Sequence, residues 1–114
     1  MSISHQDVGD NLRRIVITGR LDIPGTDEVA TKLAALTGAP KKGVVVDLTS
    51  LQFLASIGIR ALISSAKTVT QRGGRMVLVV AGGSSVVMSL EATGVNDLIP
   101  VFKDAADAER AALA

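Results

Sequence analysis

The stretch VVVDLTSLQFLASIGIRAL, residues 44–62, decides the fold class of this chain. It opens with the apolar run VVVDL, which Gly43 precedes and which is typical of a strand covered on both faces. A helix is predicted from about Ile57 to Gln71, where Gly73-Gly74 ends it. Its apolar stripe, at helical spacing, consists of Ile59, Leu62, Ile63, Ala66 and Val69. A buried strand that leads directly into an amphipathic helix indicates an α/β domain.

The residues before this stretch predict a hairpin and a helix. Two strands are expected to meet at Gly9-Asp10-Asn11, and RLDIPG then ends the second strand because Pro24 and Gly25 fit poorly in one. The helix is predicted from Thr26 to Thr37, with Thr26 as its cap. Gly38 and Pro40 are expected to end it.

The residues after this stretch repeat the alternation of strand and helix. RMVLVVA predicts a second buried strand, and GGSSVVMSLEATG predicts a short helix capped by Ser84 or Ser85 and ended by Gly94. LIPVF predicts a last strand, and Asp104 is expected to cap a terminal helix. The order β-β-α-β-α-β-α-β-α requires right-handed crossovers, so we expect a single α/β domain over residues 1–114 with a mixed, mostly parallel sheet.

Composition excludes several classes of function. The 114 residues carry a net charge of +1 without a basic cluster, and only 2% are aromatic, so no nucleic-acid surface is expected. The chain has no cysteine and one histidine, His5, which disfavours metal sites and a catalytic triad; no cofactor is expected, and an enzyme is the least favoured class. No apolar run is long enough to span a bilayer and the N-terminus is polar, so a cytoplasmic protein is predicted.

Polar residues follow three of the predicted strands. They are Asp22, Asp47, Ser56, Ser84 and Ser85. Function in open α/β sheets gathers at the carboxyl ends of the strands, so these side chains are expected along one edge.

Ser56 has two interpretations. It is well placed to cap the second helix through its hydroxyl oxygen. It also stands beside Ile57, which falls at the beginning of the polar face and is predicted to be exposed, and one turn from Arg60. These three residues form a candidate docking patch for another protein.

The order of elements and three sequence segments resemble the STAS domain of anti-sigma factor antagonists. The segments are TGRLD, VVVDLTSLQFLASIGIRAL and GGRMVLV. In that family the second helix opens with Asp-Ser-Ser-Gly or Asp-Ser-Thr-Gly. The first hydroxyl of that motif is phosphorylated by the partner, an anti-sigma factor that is also a serine kinase. The resemblance therefore implies a bacterial protein–protein switch in transcription regulation.

Residue by residue, the resemblance places Ser56 on the phosphoacceptor and Gly58 on the glycine of the motif. Asp22 falls on the aspartate of the Gly-x-Leu-Asp turn, and Asp47 on a polar position at the end of the third strand. The sequence departs from the motif at Ala55, which replaces its Asp, and at Ile57, which replaces its second hydroxyl. Arg60 replaces a glycine.

The resemblance leaves two binding functions open. In the first, Asp22 and residues 55–58 and 60 bind an anti-sigma factor that is also a serine kinase, and phosphorylation of Ser56 ends the binding. In the second, a STAS module without this switch docks in another regulatory or lipid-transport complex. The sequence leaves open whether the protein is a homodimer.

Overall fold

The structure is a computed structural model that describes residues 2–39 and 41–114. These residues form a six-stranded mixed sheet and four helices. In chain order the elements are β1 (Ser2–Val8), β2 (Leu12–Leu21), α1 (Ile23–Gly38), β3 (Gly43–Asp47), β4 (Leu51–Leu54), α2 (Ser56–Gln71), β5 (Arg75–Val79), α3 (Ser85–Thr93), a 3₁₀ turn (Val95–Asp97), β6 (Val101–Phe102) and α4 (Ala105–Leu113). The predicted α/β fold class is confirmed.

The sheet has the strand order β1-β2-β3-β5-β6. Among the described strands, the β1–β2 pair is antiparallel and the other pairs are parallel. The ten-residue β2 extends beyond the end of the five-residue β3, and its last residues, Gly19–Leu21, pair with β4 instead. The short strand β4 is an addition to the predicted order, and it carries the chain from the end of β3 to the start of α2.

Each face of the sheet is packed against helices. Val44 and Val46 of β3 belong to the cluster that α1, α2 and α3 cover, whereas Val45 belongs to the smaller cluster that α4 covers. All three valines are at most 1% exposed. The continuous apolar run in the sequence reflects this two-sided burial.

The start of α1 differs from the prediction. The helix begins at Ile23, and its cap is Asp22, whose Oδ1 accepts a hydrogen bond of 2.9 Å from the backbone N–H of Gly25. Pro24 lies in the first turn, where the missing N–H has no helical partner to lose. Thr26, the predicted cap, is instead buried within the helix. Gly38 is the last residue of α1, and Pro40 lies outside the described residues.

The later caps are confirmed. The Ser84 hydroxyl accepts from the N–H of Val87 and caps α3, which ends at Gly94 in the left-handed conformation with φ of 71°. Asp104 caps α4 by accepting from two backbone N–H groups. Of the predicted strand LIPVF, only Val101–Phe102 is paired.

Gly58 allows α2 to lie directly on the end of β2. A Cβ atom at this position would be 2.8 Å from the Cβ of Leu21 and 3.1 Å from the carbonyl oxygen of Leu21. Neither atom is the end of a flexible side chain, so any larger residue must push the helix away from the strand.

We expect Gly58→Ala to lower the free energy of unfolding by about 1–3 kcal/mol, because overpacking outweighs the better helix propensity of alanine. Gly38→Ala is the matched control, since a Cβ there would have no neighbour within 4 Å. Urea denaturation measures both. Equal stability of the two variants would show that the contact with Leu21 yields easily.

Asp47 ends β3 in a partly buried ion pair on the face of the sheet that α4 partly covers. Its Oδ2 lies 2.7 Å from Nη2 of Arg14, and its Oδ1 accepts from the backbone N–H and the hydroxyl of Thr49. Burial raises the pKa of Asp47, but the hydrogen bonds from Thr49 and Arg14 outweigh it and hold the pKa below its ordinary value of 3.8. The ionised form is therefore part of the stable fold.

We expect Asp47→Asn to cost about 1–3 kcal/mol of stability at neutral pH, because Arg14 loses its charged acceptor. A lowered pKa adds stability above the unfolded-state value, and this stability is lost as the pH falls through the folded-state value. The deficit of the variant should therefore shrink below about pH 4. Chemical denaturation from pH 7 to pH 3, with the exposed Asp97→Asn as control, measures it; a deficit that is independent of pH contradicts the assignment.

Candidate functional site

Two helices start side by side at one edge of the sheet. Leu21 at the end of β2 is the register partner of Leu54 at the end of β4, and α1 and α2 begin within two residues of them. The backbone N–H of Ala55 donates to the carbonyl oxygen of Leu21 at 2.9 Å. Asp22 and Ala55, both predicted site residues, are thus neighbours at this edge.

Ser56 is not the cap of α2, contrary to one of its two interpretations. The cap position is held by Ala55, which has extended backbone angles and no side chain that could accept a hydrogen bond. Ser56 is the first helical residue and is exposed. Within residues 2–39 and 41–114 its hydroxyl group has no hydrogen-bond partner, so it is accessible for modification.

The backbone around Ser56 is compatible with an anion. The first helical bond of α2 runs from the N–H of Ile59 to the carbonyl of Ala55. The N–H groups of residues 56–58 precede it and have no partner within the helix, as at any helix start. Such groups, together with the helix dipole, stabilise negative charge nearby.

Ile57 is half-buried rather than exposed, which corrects the sequence prediction. It is not part of the core cluster, although Ala61, one turn further along the same flank of α2, packs against that cluster. Arg60 is exposed, as Ser56 is. Gly58, predicted to contact the partner, is buried against Leu21 and positions the start of the helix.

The sequence analysis missed two residues of this edge, Arg20 and Phe53. The guanidinium carbon of Arg20 lies 4.5 Å from the ring centroid of Phe53, and its Nε is 3.6 Å from Oδ2 of Asp22. The two residues are register partners in the β2–β4 pair. Without β4 in the predicted order, no pattern in the sequence could bring them together.

The polar residues predicted to follow three strands lie at different distances from this edge. The hydroxyl of Ser85 donates to the carbonyl of Gln52 at 3.3 Å, which ties the start of α3 to β4. Asp47 does not reach the site: its register partner is Val16, and Leu21 lies five residues further along β2, roughly 16 Å for an extended strand. The expectation that Asp47 joins Ser56 at one edge is therefore wrong.

The part of the chain that the structure describes holds no group of three or more His, Asp or Glu side chains arranged to bind a metal ion. None of its helices is both long enough and apolar enough to cross a bilayer.

Solved structures with this fold include proteins of different kinds. An anti-sigma factor antagonist from Mycobacterium paratuberculosis matches with 20% identity and a TM-score of 0.83, over 97% of this chain and 94% of that one. The phosphorylated form of SpoIIAA, a Bacillus cell fate determinant, matches with 14% identity and a TM-score of 0.68, over 96% and 99%. The murine anion transporter solute carrier 26 family member A9 matches with 21% identity and a TM-score of 0.75, over 94% of this chain but 18% of the transporter.

At these identities the structural likeness establishes the fold alone. The search of curated proteins found no match. The STAS domain family, in contrast, matches residues 7–108, which is nearly the whole chain. The parallel strands and the helix that starts beside Leu21 lie within that range, and the chain belongs to the STAS domain family.

Proposed function

We propose that the protein is an anti-sigma factor antagonist that works in the cytoplasm by binding, without catalysis of its own. Its partner is an anti-sigma factor of the serine-kinase type, and binding frees a sigma factor. The contact is made by the α2 entry surface, which we define as Asp22, Ala55, Ser56, Ile57 and Arg60. The observation that carries the proposal is the exposed hydroxyl of Ser56 at the first position of α2.

The surroundings of Ser56 support a protein contact at this surface. Ile57 offers apolar area outside the core cluster, and Arg60 offers an exposed cation one turn away. The hydrogen bond between Ala55 and Leu21 and the close fit of Gly58 hold these side chains on a rigid support. A pre-organised surface loses little conformational entropy when a partner binds.

Phosphorylation of Ser56 would end the binding. Oγ of Ser56 forms a bond to the γ-phosphorus of ATP, the bond to the β-phosphate oxygen breaks, ADP leaves and the hydroxyl proton is released. The product carries a charge of about −1.5 to −2 at neutral pH. The helix start tolerates this anion, so the fold is retained, whereas a partner that had covered the hydroxyl must bury a hydrated charge.

A second candidate is a STAS module without this switch, in another regulatory or lipid-transport complex. Two features favour it: Ala55 and Ile57 replace the usual Asp and hydroxyl of the family motif, and the fold also occurs inside an anion transporter. In that case the same surface binds its partner without being phosphorylated at any stage.

A kinase assay separates the two candidates. We expect incubation with ATP and the cognate anti-sigma factor to add one phosphoryl group, detected by mass spectrometry. Ser56→Ala should remove this mass shift, because the hydroxyl is the acceptor. Binding to the anti-sigma factor without any mass shift would favour the second candidate.

A charge at position 56 should weaken partner binding, whether or not a kinase is involved. We expect Ser56→Glu to raise the Kd for the anti-sigma factor by at least about tenfold, or about 1.4 kcal/mol, because the contact must then bury a carboxylate. Isothermal calorimetry measures the Kd. Ser64→Glu, with the same charge change on an exposed residue two turns further along α2, is the matched control. Equal effects of the two variants would place the partner elsewhere.

A further inference from the structure

Ser56 and Arg60 are adjacent on the exposed face of α2. Residues four apart in a helix have Cβ atoms about 5–6 Å from each other, and the side chains lie one above the other. Both residues are exposed, and the helix runs without interruption from Ser56 to Gln71. Within the described residues, the guanidinium of Arg60 takes part in none of the ion pairs.

Few other charges compete at this end of α2. The sequence of the helix, SIGIRALISSAKTVTQ, contains no acidic residue. The neighbouring carboxylate, Asp22, is engaged as the cap of α1 and in the ion pair with Arg20. Glu28 is exposed on α1, and the start of α3, Ser84 and Ser85, is uncharged. Arg60 is therefore the cation of α2 that lies nearest to a charge on Ser56.

We propose that Arg60 pairs with the phosphoryl group on Ser56 and holds it against the face of α2. This inference rests on the proposed phosphorylation of Ser56 and adds a positioning residue to it. The guanidinium group offers a planar pair of donors that suits phosphate oxygens. Modification then acts twice on the partner, since it adds an anion and withdraws the exposed cation from the contact.

The pairing has a direct signature in the second ionisation of the phosphate. A nearby cation favours the dianion and lowers the pKa below its ordinary value of about 6. A ³¹P NMR titration of the full chain, with phosphoserine incorporated at position 56 during expression, measures this pKa without a kinase. We expect Arg60→Gln to raise the titration midpoint by about 0.3 units, the shift that corresponds to a typical surface pair four residues apart.

Lys67→Gln is the matched control, because Lys67 is an exposed cation of the same helix, three turns from Ser56. Its midpoint should equal that of the unsubstituted phosphoprotein, and Arg60→Lys should fall between the unsubstituted protein and Arg60→Gln. A midpoint that is the same in Arg60→Gln and Lys67→Gln overturns the proposal, whether both shift or neither does. Circular dichroism confirms that the variants are folded.

This result is independent of the proposed partner. If the anti-sigma factor fails to bind, the proposed function is lost, but the titration still reports on the contact between Arg60 and the phosphate. If binding is normal and phosphorylation abolishes it while the midpoints stay equal, the function stands and the role of Arg60 is wrong.

Discussion

The contact of α2 with the end of β2 determines the geometry of the candidate site. Gly58 places the helix backbone against Leu21, and the N–H of Ala55 donates to the carbonyl of the same leucine. Two constraints on one strand residue fix both the position and the rotation of the first helical turn. Ser56 and Arg60 face solvent because Gly58 and Ile59 face the sheet. The exposed side chains of this surface can therefore be changed without moving the helix, whereas a side chain at Gly58 would displace it.

Hydrophobic patterning predicted most of the fold because burial follows it closely here. The runs that became β3 and β5 are apolar apart from Asp47 and Arg75 at their ends, since helices cover both faces of the sheet. The stripe of α2 is equally clear: its predicted members are buried except Ile63, which is partly buried, and the structure adds Gly58 and Ser65 to the buried face. β4 escaped prediction because its four residues gain their strand conformation from pairing with the extension of β2, which is a tertiary interaction.

The caps show the limit of local reasoning. Serine and threonine are good capping residues, so Ser56 and Thr26 were the natural predictions. At α2 the backbone bond from Ala55 to Leu21 sets the cap one residue earlier. At α1, Pro24 is compatible with both a loop and a first helical turn, and only the position of β2 decides between them. Strand register likewise determines that Arg20 stacks on Phe53 and that Asp47 lies away from the end of β2.

The departures from the family motif change the charge from which the proposed switch starts. The motif carries an Asp before the acceptor, so phosphorylation there adds a second negative group beside a carboxylate. Here Ala55 contributes no charge and Arg60 contributes a positive one. With a phosphate charge of about −1.5 to −2, the first five residues of α2, in which Arg60 is the one charged side chain, pass from positive to negative. A partner with acidic groups opposite Arg60 is therefore attracted before modification and repelled after it. Such a reversal discriminates between the two states more strongly than an increase in charge of one sign, because the favourable contact is lost when the unfavourable one appears.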